Sequence, residues 1–155
     1  MGADPKKREL ALRMADKAWE LKDDPGPAKG AENVFARHSA LGSMMKIYYR
    51  HRANPEHFKR AVECTELQIE MQAEAMQAWH ALEEDLLAKL RKYNPGYSRE
   101  HPATPPGHLG YKQLAIVLEK EKRYQEALDL VEEAKAAGWS GDWDKRAGRL
   151  QKKLS

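Results

Sequence analysis

The chain has 155 residues, 33% of them charged and 41% hydrophobic, with a formal net charge of +3; this fits one compact domain or a short repeat array and excludes a large multidomain enzyme. Its 22 alanines and 16 leucines far outnumber valine, isoleucine and threonine, which total 9, so an all-α fold is expected over 1–155 as a single domain. No apolar run approaches the ~20 residues that cross a bilayer, the first residues are charged where a signal peptide is apolar, and Cys64 stands alone, so the expectation is a soluble cytoplasmic protein with no membrane partner and no disulfide framework.

Asp4 before Pro5 is a cap-then-proline start, which predicts a helix over 5–22 with Leu10, Met14, Ala18 and Leu21 on its apolar face. DDPGPAKG, 23–30, stops it and reads as a linker. The pattern resumes at Ala31 and ends near Arg52, with Val34, Leu41, Met45 and Tyr48 on one face. Asn54-Pro55 opens a third segment that lacks glycine and proline as far as Tyr93. It is several times the usual helix length, and a change of apolar phase predicts a break between Met71 and Glu74. The helix after the break, 73–93, places Trp79, Leu82, Leu86, Leu90 and Tyr93 on one stripe, with Trp79 in the core. NPGYSREHPATPPG, 94–107, is an irregular connection.

HLGYKQLAIVLEKEKRYQEALDLVEEAKAAGW, 108–139, resembles a tetratricopeptide repeat, the helix-turn-helix unit of protein-binding solenoids. In that phase Tyr111 opens helix A, Leu114 and Ala115 take the Leu-Gly/Ala pair, and Tyr124, Ala127 and Ala134 take the aromatic and small positions of helix B. Lys122 stands where the family has its turn glycine, and Gly138-Trp139 stands where it has proline. A degenerate copy lies within 31–71, with Phe58 and Ala61 answering Tyr124 and Ala127. Over its whole length the chain is similar to small tetratricopeptide-containing proteins of bacteria and phages. The resemblance implies a short array of antiparallel helical hairpins, an α-solenoid, and 140–155 reads as its amphipathic capping helix, with Trp143, Ala147, Leu150 and Leu154 inward.

Catalytic chemistry finds little to stand on. The six histidines form no HExxH or repeated Glu-x-x-His arrangement, and His101 and His108 flank the proline-rich loop, which reads as solvated. Cys64 lies in AVECTEL, whose Glu63 and Glu66 disfavour a thiolate, and no GxSxG, GxGxxG or GxxxxGK[ST] string occurs. The chain is therefore read as no enzyme, with no catalytic residue, no metal site and no cofactor.

The informative charge feature runs from Asn33 to Pro55, where Arg37, Lys46, Arg50 and Arg52 occur without one acidic residue. Ser39, Ser43, Lys46 and Arg50 share a helical stripe opposite the apolar face. By the resemblance, Ser43, Lys46 and Arg50 correspond to ligand-facing positions of tetratricopeptide grooves, and Leu109, Lys112 and Ile116 correspond to them in the later repeat. The expected function is a noncatalytic module that binds an acidic protein or peptide segment at Ser43, Lys46, Arg50, Lys112 and Ile116; a merely solvated basic face is the plainer reading. The alternative is nucleic-acid binding by the basic helix 37–52 with Tyr48 and Tyr49, joined by Arg91, Lys92, Tyr93, Tyr97 and Arg99. Against it, residues 54–93 hold eight acidic and five basic side chains, which interrupts a basic track.

Overall fold

The computed structural model describes residues 4–24, 26–99 and 103–155. These form an all-α protein of seven helices: α1 Pro5–Glu20, α2 Gly30–Arg50, α3 Pro55–Glu70, α4 Gln72–Tyr93, α5 Leu109–Lys120, α6 Tyr124–Ala136 and α7 Trp143–Leu154. No helix among the described residues is long and apolar enough to cross a membrane.

Local chemistry sets the helix ends. Asp4 and Asn54 accept hydrogen bonds from the Lys6 and Glu56 amides, each with proline in the first helical position, so amides orphaned by the start of a helix gain partners. His108 caps α5, its Nδ1 accepting from the Tyr111 amide at 3.0 Å. The ends of α5 and α6 share one device. Arg123 N–H donates to Leu118 O and Lys122 N–H to Glu119 O; Trp139 N–H donates to Ala134 O and Gly138 N–H to Lys135 O. Both are Schellman caps, which require a left-handed residue. Gly138 supplies it at φ +93°, and Lys122 is forced into it at φ +62°.

α3 and α4 are separated by the single turn residue Met71. Hydrogen bonds from Met71 to Leu67 and from Ala75 to Met71 still span the break, so α4 leaves α3 through a kink without an intervening loop. α4 then packs on α2. Beyond it, 103–107 leads back to the α6–α7 link, where Ser140 N–H donates to Pro106 O at 3.1 Å and Ser140 Oγ donates to Pro105 O.

Two apolar cores result. One joins α1, α2 and α3 around Ala15, Leu41, Met45, Tyr48, Ala61 and Cys64. The other joins α4 through α7 around Tyr111, Ala115, Ala127, Val131, Trp143 and Leu150. Ala127 and Ala134 are fully buried, so methyl groups sit where larger side chains would hold the helices apart. In α7, Trp143 and Leu150 are buried, while Leu154 remains 45% exposed at the helix end.

Three expectations fail in detail. On α1 the inward face is Leu12, Ala15, Ala18 and Trp19, whereas Leu10, Met14 and Leu21 are 56%, 62% and 49% exposed. That helix carries two apolar stripes, and α2 and α3 pack against the one that holds Leu12, Ala15, Ala18 and Trp19. Trp79 is only half-buried, and Leu86 and Tyr93 are exposed, because α4 buries only Ala75 and Ala78 near its start. His108 is 2% exposed; a capping role draws it inside. His101 lies outside the described residues.

Candidate functional site

The polar stripe of α2 is open: Ser39, Ser43, Lys46 and Arg50 are all exposed. Glycine governs how α5 approaches beside it. A Cβ on Gly42 would lie 3.1 Å from Leu109 Cδ1 of α5 and 2.9 Å from Gln68 Nε2 of α3, so a methyl group there would press on Leu109 and displace the Gln68 amide. Farther along, Lys120 Nζ donates to the Tyr49 hydroxyl at 3.1 Å. These two contacts bracket the intervening turns. Lys46 lies one turn beyond Gly42 on α2, and Lys112 and Ile116 lie one and two turns beyond Leu109 on α5. Lys112 is exposed and Ile116 half-buried, while Leu109 turns its side chain inward against α2.

Charge on the adjoining surface is already partly spent. Arg149 of α7 grips Glu119 of α5 with two hydrogen bonds of 3.0 and 2.9 Å, and Lys153 stands 3.4 Å away; the Arg149 hydrogen bond, chiefly, holds the Glu119 carboxyl below its ordinary value. Burial works to raise Asp142, but the hydrogen bond and charge of Arg146, with a smaller attraction from Lys112, keep it lowered. Among the described residues Lys46 and Arg50 form no ion pair. They are uncommitted charges of this surface, as is Lys112.

The remaining basic residues point elsewhere. Arg37 lies half a turn around α2 from Lys46 and lines a groove of about 560 Å³. That groove runs between α1, α2 and the α3–α4 kink, with Ala18, Leu21, Ala36, Ala40 and Met71 in its walls. Arg52 stacks its guanidinium 4.5 Å from the centre of the Tyr49 ring. Tyr48 is 1% exposed and its hydroxyl donates to Asp16 at 2.6 Å; burial and that bond raise its pKa. It offers no ring for base stacking, which corrects its place in the nucleic-acid reading. Arg99 is paired with Glu83 at 2.6 Å, and Arg91 donates to Tyr97 O.

The two apolar cores meet at a buried polar junction that sequence reasoning missed. Gln68 of α3 donates from Nε2 to His38 O at 2.9 Å and accepts at Oε1 from the Gly110 amide at 2.7 Å, which ties α2 to α5. The imidazoles of His38 and His108 meet Nε2 to Nε2 at 2.9 Å. Because His108 Nδ1 accepts from the Tyr111 amide, its proton resides on Nε2, and His38 Nε2 must be the acceptor. His38 also stacks on Trp139 with ring centres 5.3 Å apart, and Trp139 Nε1 donates to Gln72. Burial lowers the His38 pKa to about 4 and, with the neighbouring His38, that of His108 to about 3. Both rings are neutral at pH 7 and serve as structural connectors. Only the His-x-Gly opening of α5 hinted at this arrangement.

Other chemistry-bearing groups are dispersed. Among the described residues no cluster of three or more His, Cys, Asp or Glu could hold a metal ion. Cys64 is fully buried; burial raises its thiol to about 12, with Arg60 opposing and Glu63 assisting the rise. Comparison of the chain with protein-family models, curated proteins and solved structures finds no match. The fold and this surface define a small all-α protein with an open basic stripe beside a helix contact made at glycine.

Proposed function

We propose that the protein is a noncatalytic interaction module. Its α2–α3 and α5–α6 pairs act as two tetratricopeptide-like antiparallel hairpins, α7 caps them, and the face shared by α2 and α5 binds an acidic peptide segment. The helix neighbours support the array: α2 packs on α3, α3 on α5, α5 on α6, and α6 on α7. Buried Ala115, Ala127 and Ala134 occupy the small positions of the resemblance, and left-handed Lys122 stands where the family places glycine.

The observation that carries the reading is the uncommitted pair Lys46 and Arg50, exposed one turn apart beside the α5 face that presents Lys112. Two cations with free donors favour carboxylates through charge-assisted hydrogen bonds, and half-buried Ile116 supplies an apolar contact for a side chain between them. The nucleic-acid alternative loses Tyr48 and finds Arg91 and Arg99 engaged by their own chain. An array of acidic, neutral and basic peptides, probed with the purified protein beside single-stranded RNA, tests the proposal. Selection of acidic peptides is the expected result; retention of RNA alone, or indifference to peptide charge, would overturn it.

A further inference from the structure

The outer part of α4 carries apolar side chains that its own chain leaves only partly covered, with Leu86 and Tyr93 exposed. Over residues 79–93 not one residue is buried, although the segment holds Trp79, Leu82, Leu86, Leu87, Leu90 and Tyr93. Leu86 is 45% exposed and Tyr93 88%. A helical segment of this length is marginal in water on its own and depends on packing of an apolar face. Leu82, Leu86 and Tyr93 share such a face. Its two edges differ. Toward one, Glu83 is held by Arg99 and Arg91 by the carbonyl of Tyr97, so residues 94–99 already fold over it. Toward the other lie Asp85, Lys89 and Lys92, all exposed and without ion pairs among the described residues.

The charges along this helix are arranged end to end: Glu83, Glu84 and Asp85, then Lys89, Arg91 and Lys92. We propose that this face is covered by a second copy of the same chain, the two α4 helices pairing antiparallel about a two-fold axis beside Ala88. The axis brings like edges together, so Lys89, one residue from it, faces Lys89 of the second copy, and Asp85 one turn away in each chain offsets that repulsion. Asp85 and Lys92 lie on opposite sides of the axis, each about 5 Å away at ~1.5 Å per residue, so Asp85 meets Lys92 of the second copy twice over, while Leu86 packs against Leu90 and Leu82 against Tyr93. A parallel pair would bring opposite edges together at the same height, Asp85 toward Glu83 and Lys92 toward Arg91 of the second copy, like charge against like. The end-to-end arrangement of charge therefore selects the antiparallel pair and a copy of itself as the occupant.

Sedimentation equilibrium of the full chain over a range of concentrations tests this, with helix content checked for every variant. The parent sediments as a reversible dimer, and Leu86→Glu weakens it at least tenfold. Asp85→Lys and Lys92→Asp each weaken it, by about tenfold, because each creates two like-charge contacts at the interface. The two single variants mixed together form a heterodimer, and the double variant D85K/K92D regains dimerisation close to that of the parent. These charge changes are on the surface and leave the fold intact. A parent that stays monomeric at several hundred micromolar, a dimer indifferent to Leu86→Glu, or a failure of the double exchange to restore it would each overturn the proposal.

Discussion

Gly110→Ala reverses a rule of helix stability at one position. Glycine within a helix is usually less favourable than alanine by about 1 kcal/mol, and somewhat less near the first turn, so propensity alone predicts a gain. At Gly110 a Cβ would lie 2.7 Å from Gln68 Oε1, 3.0 Å from His108 Cε1 and 3.1 Å from the backbone carbonyl of Thr65. The carbonyl belongs to α3 and moves only if the helix does. Gln68 is held from both sides, by the Gly110 amide and by His38 O, so shifting it strains two buried hydrogen bonds worth about 1 kcal/mol each. Overpacking adds about 1–3 kcal/mol, and after the propensity gain the net loss is about 2–4 kcal/mol. In urea, with a slope near ~2 kcal/mol/M, the midpoint falls by about 1–2 M. Gly148→Ala is the control: nothing lies within 4 Å of its Cβ, and it should stabilise α7 by about 0.5–1 kcal/mol. If Gly110→Ala is as stable as the parent, or gains as Gly148→Ala does, the α3–α5 contact is wrong.

Lys122→Gly removes a side chain from a left-handed position, φ +62°, and should raise stability by about 1 kcal/mol in a thermal or urea melt. Acid should weaken the fold through the paired imidazoles: with folded pKa values of about 4 for His38 and about 3 for His108, below the ordinary ~6.5, the unfolded chain binds more protons. Stability therefore declines as the pH drops from about 6.5 toward 4, and His108→Asn, which retains a capping side chain, should flatten that slope; an unchanged slope would contradict the buried pair. Cys64, fully buried with its thiol raised to about 12, should react with a thiol reagent at pH 8 only through unfolding, at a rate that urea accelerates steeply.

What the sequence disclosed and what it concealed follow from the range of the forces involved. Asn54-Pro55 marks a helix start because capping acts within three residues, and the change of phase near Met71 shows because a kink rotates the apolar face. The choice between the two stripes of α1 depends on which of them α2 and α3 pack against, and no local pattern contains that. Trp79 fits the periodicity of α4, but whether another element covers that part of the helix is a matter of tertiary arrangement. Gln68, His38 and Gly110 lie 30 and 42 residues apart along the chain, and their bonds exist only once three helices have met. At the basic stripe, spacing alone placed Ser43, Lys46 and Arg50 on one side of α2. It could not show that Gly42 lies against Leu109 and Gln68, that Tyr48 turns inward, or that Glu119 and Asp142 engage the neighbouring arginines.

The central claim concerns the shared face of α2 and α5, and the most direct measurement is the affinity of an acidic peptide for the parent and for Lys46→Glu/Arg50→Glu, taken across a salt series. Both side chains are exposed and unpaired, so the reversal should leave helix content and melting nearly unchanged while weakening binding at least tenfold. Salt should weaken the parent complex as the screening length shortens from about 10 Å at 0.1 M. The control reverses Asp129 and Glu132, exposed on α6. Glu133 is unsuitable for it, because that carboxylate accepts the hydroxyl of buried Tyr111 at 2.9 Å. The account predicts control affinity within a few-fold of the parent; binding that survives the Lys46 and Arg50 reversal, or that falls equally in the control, would contradict it.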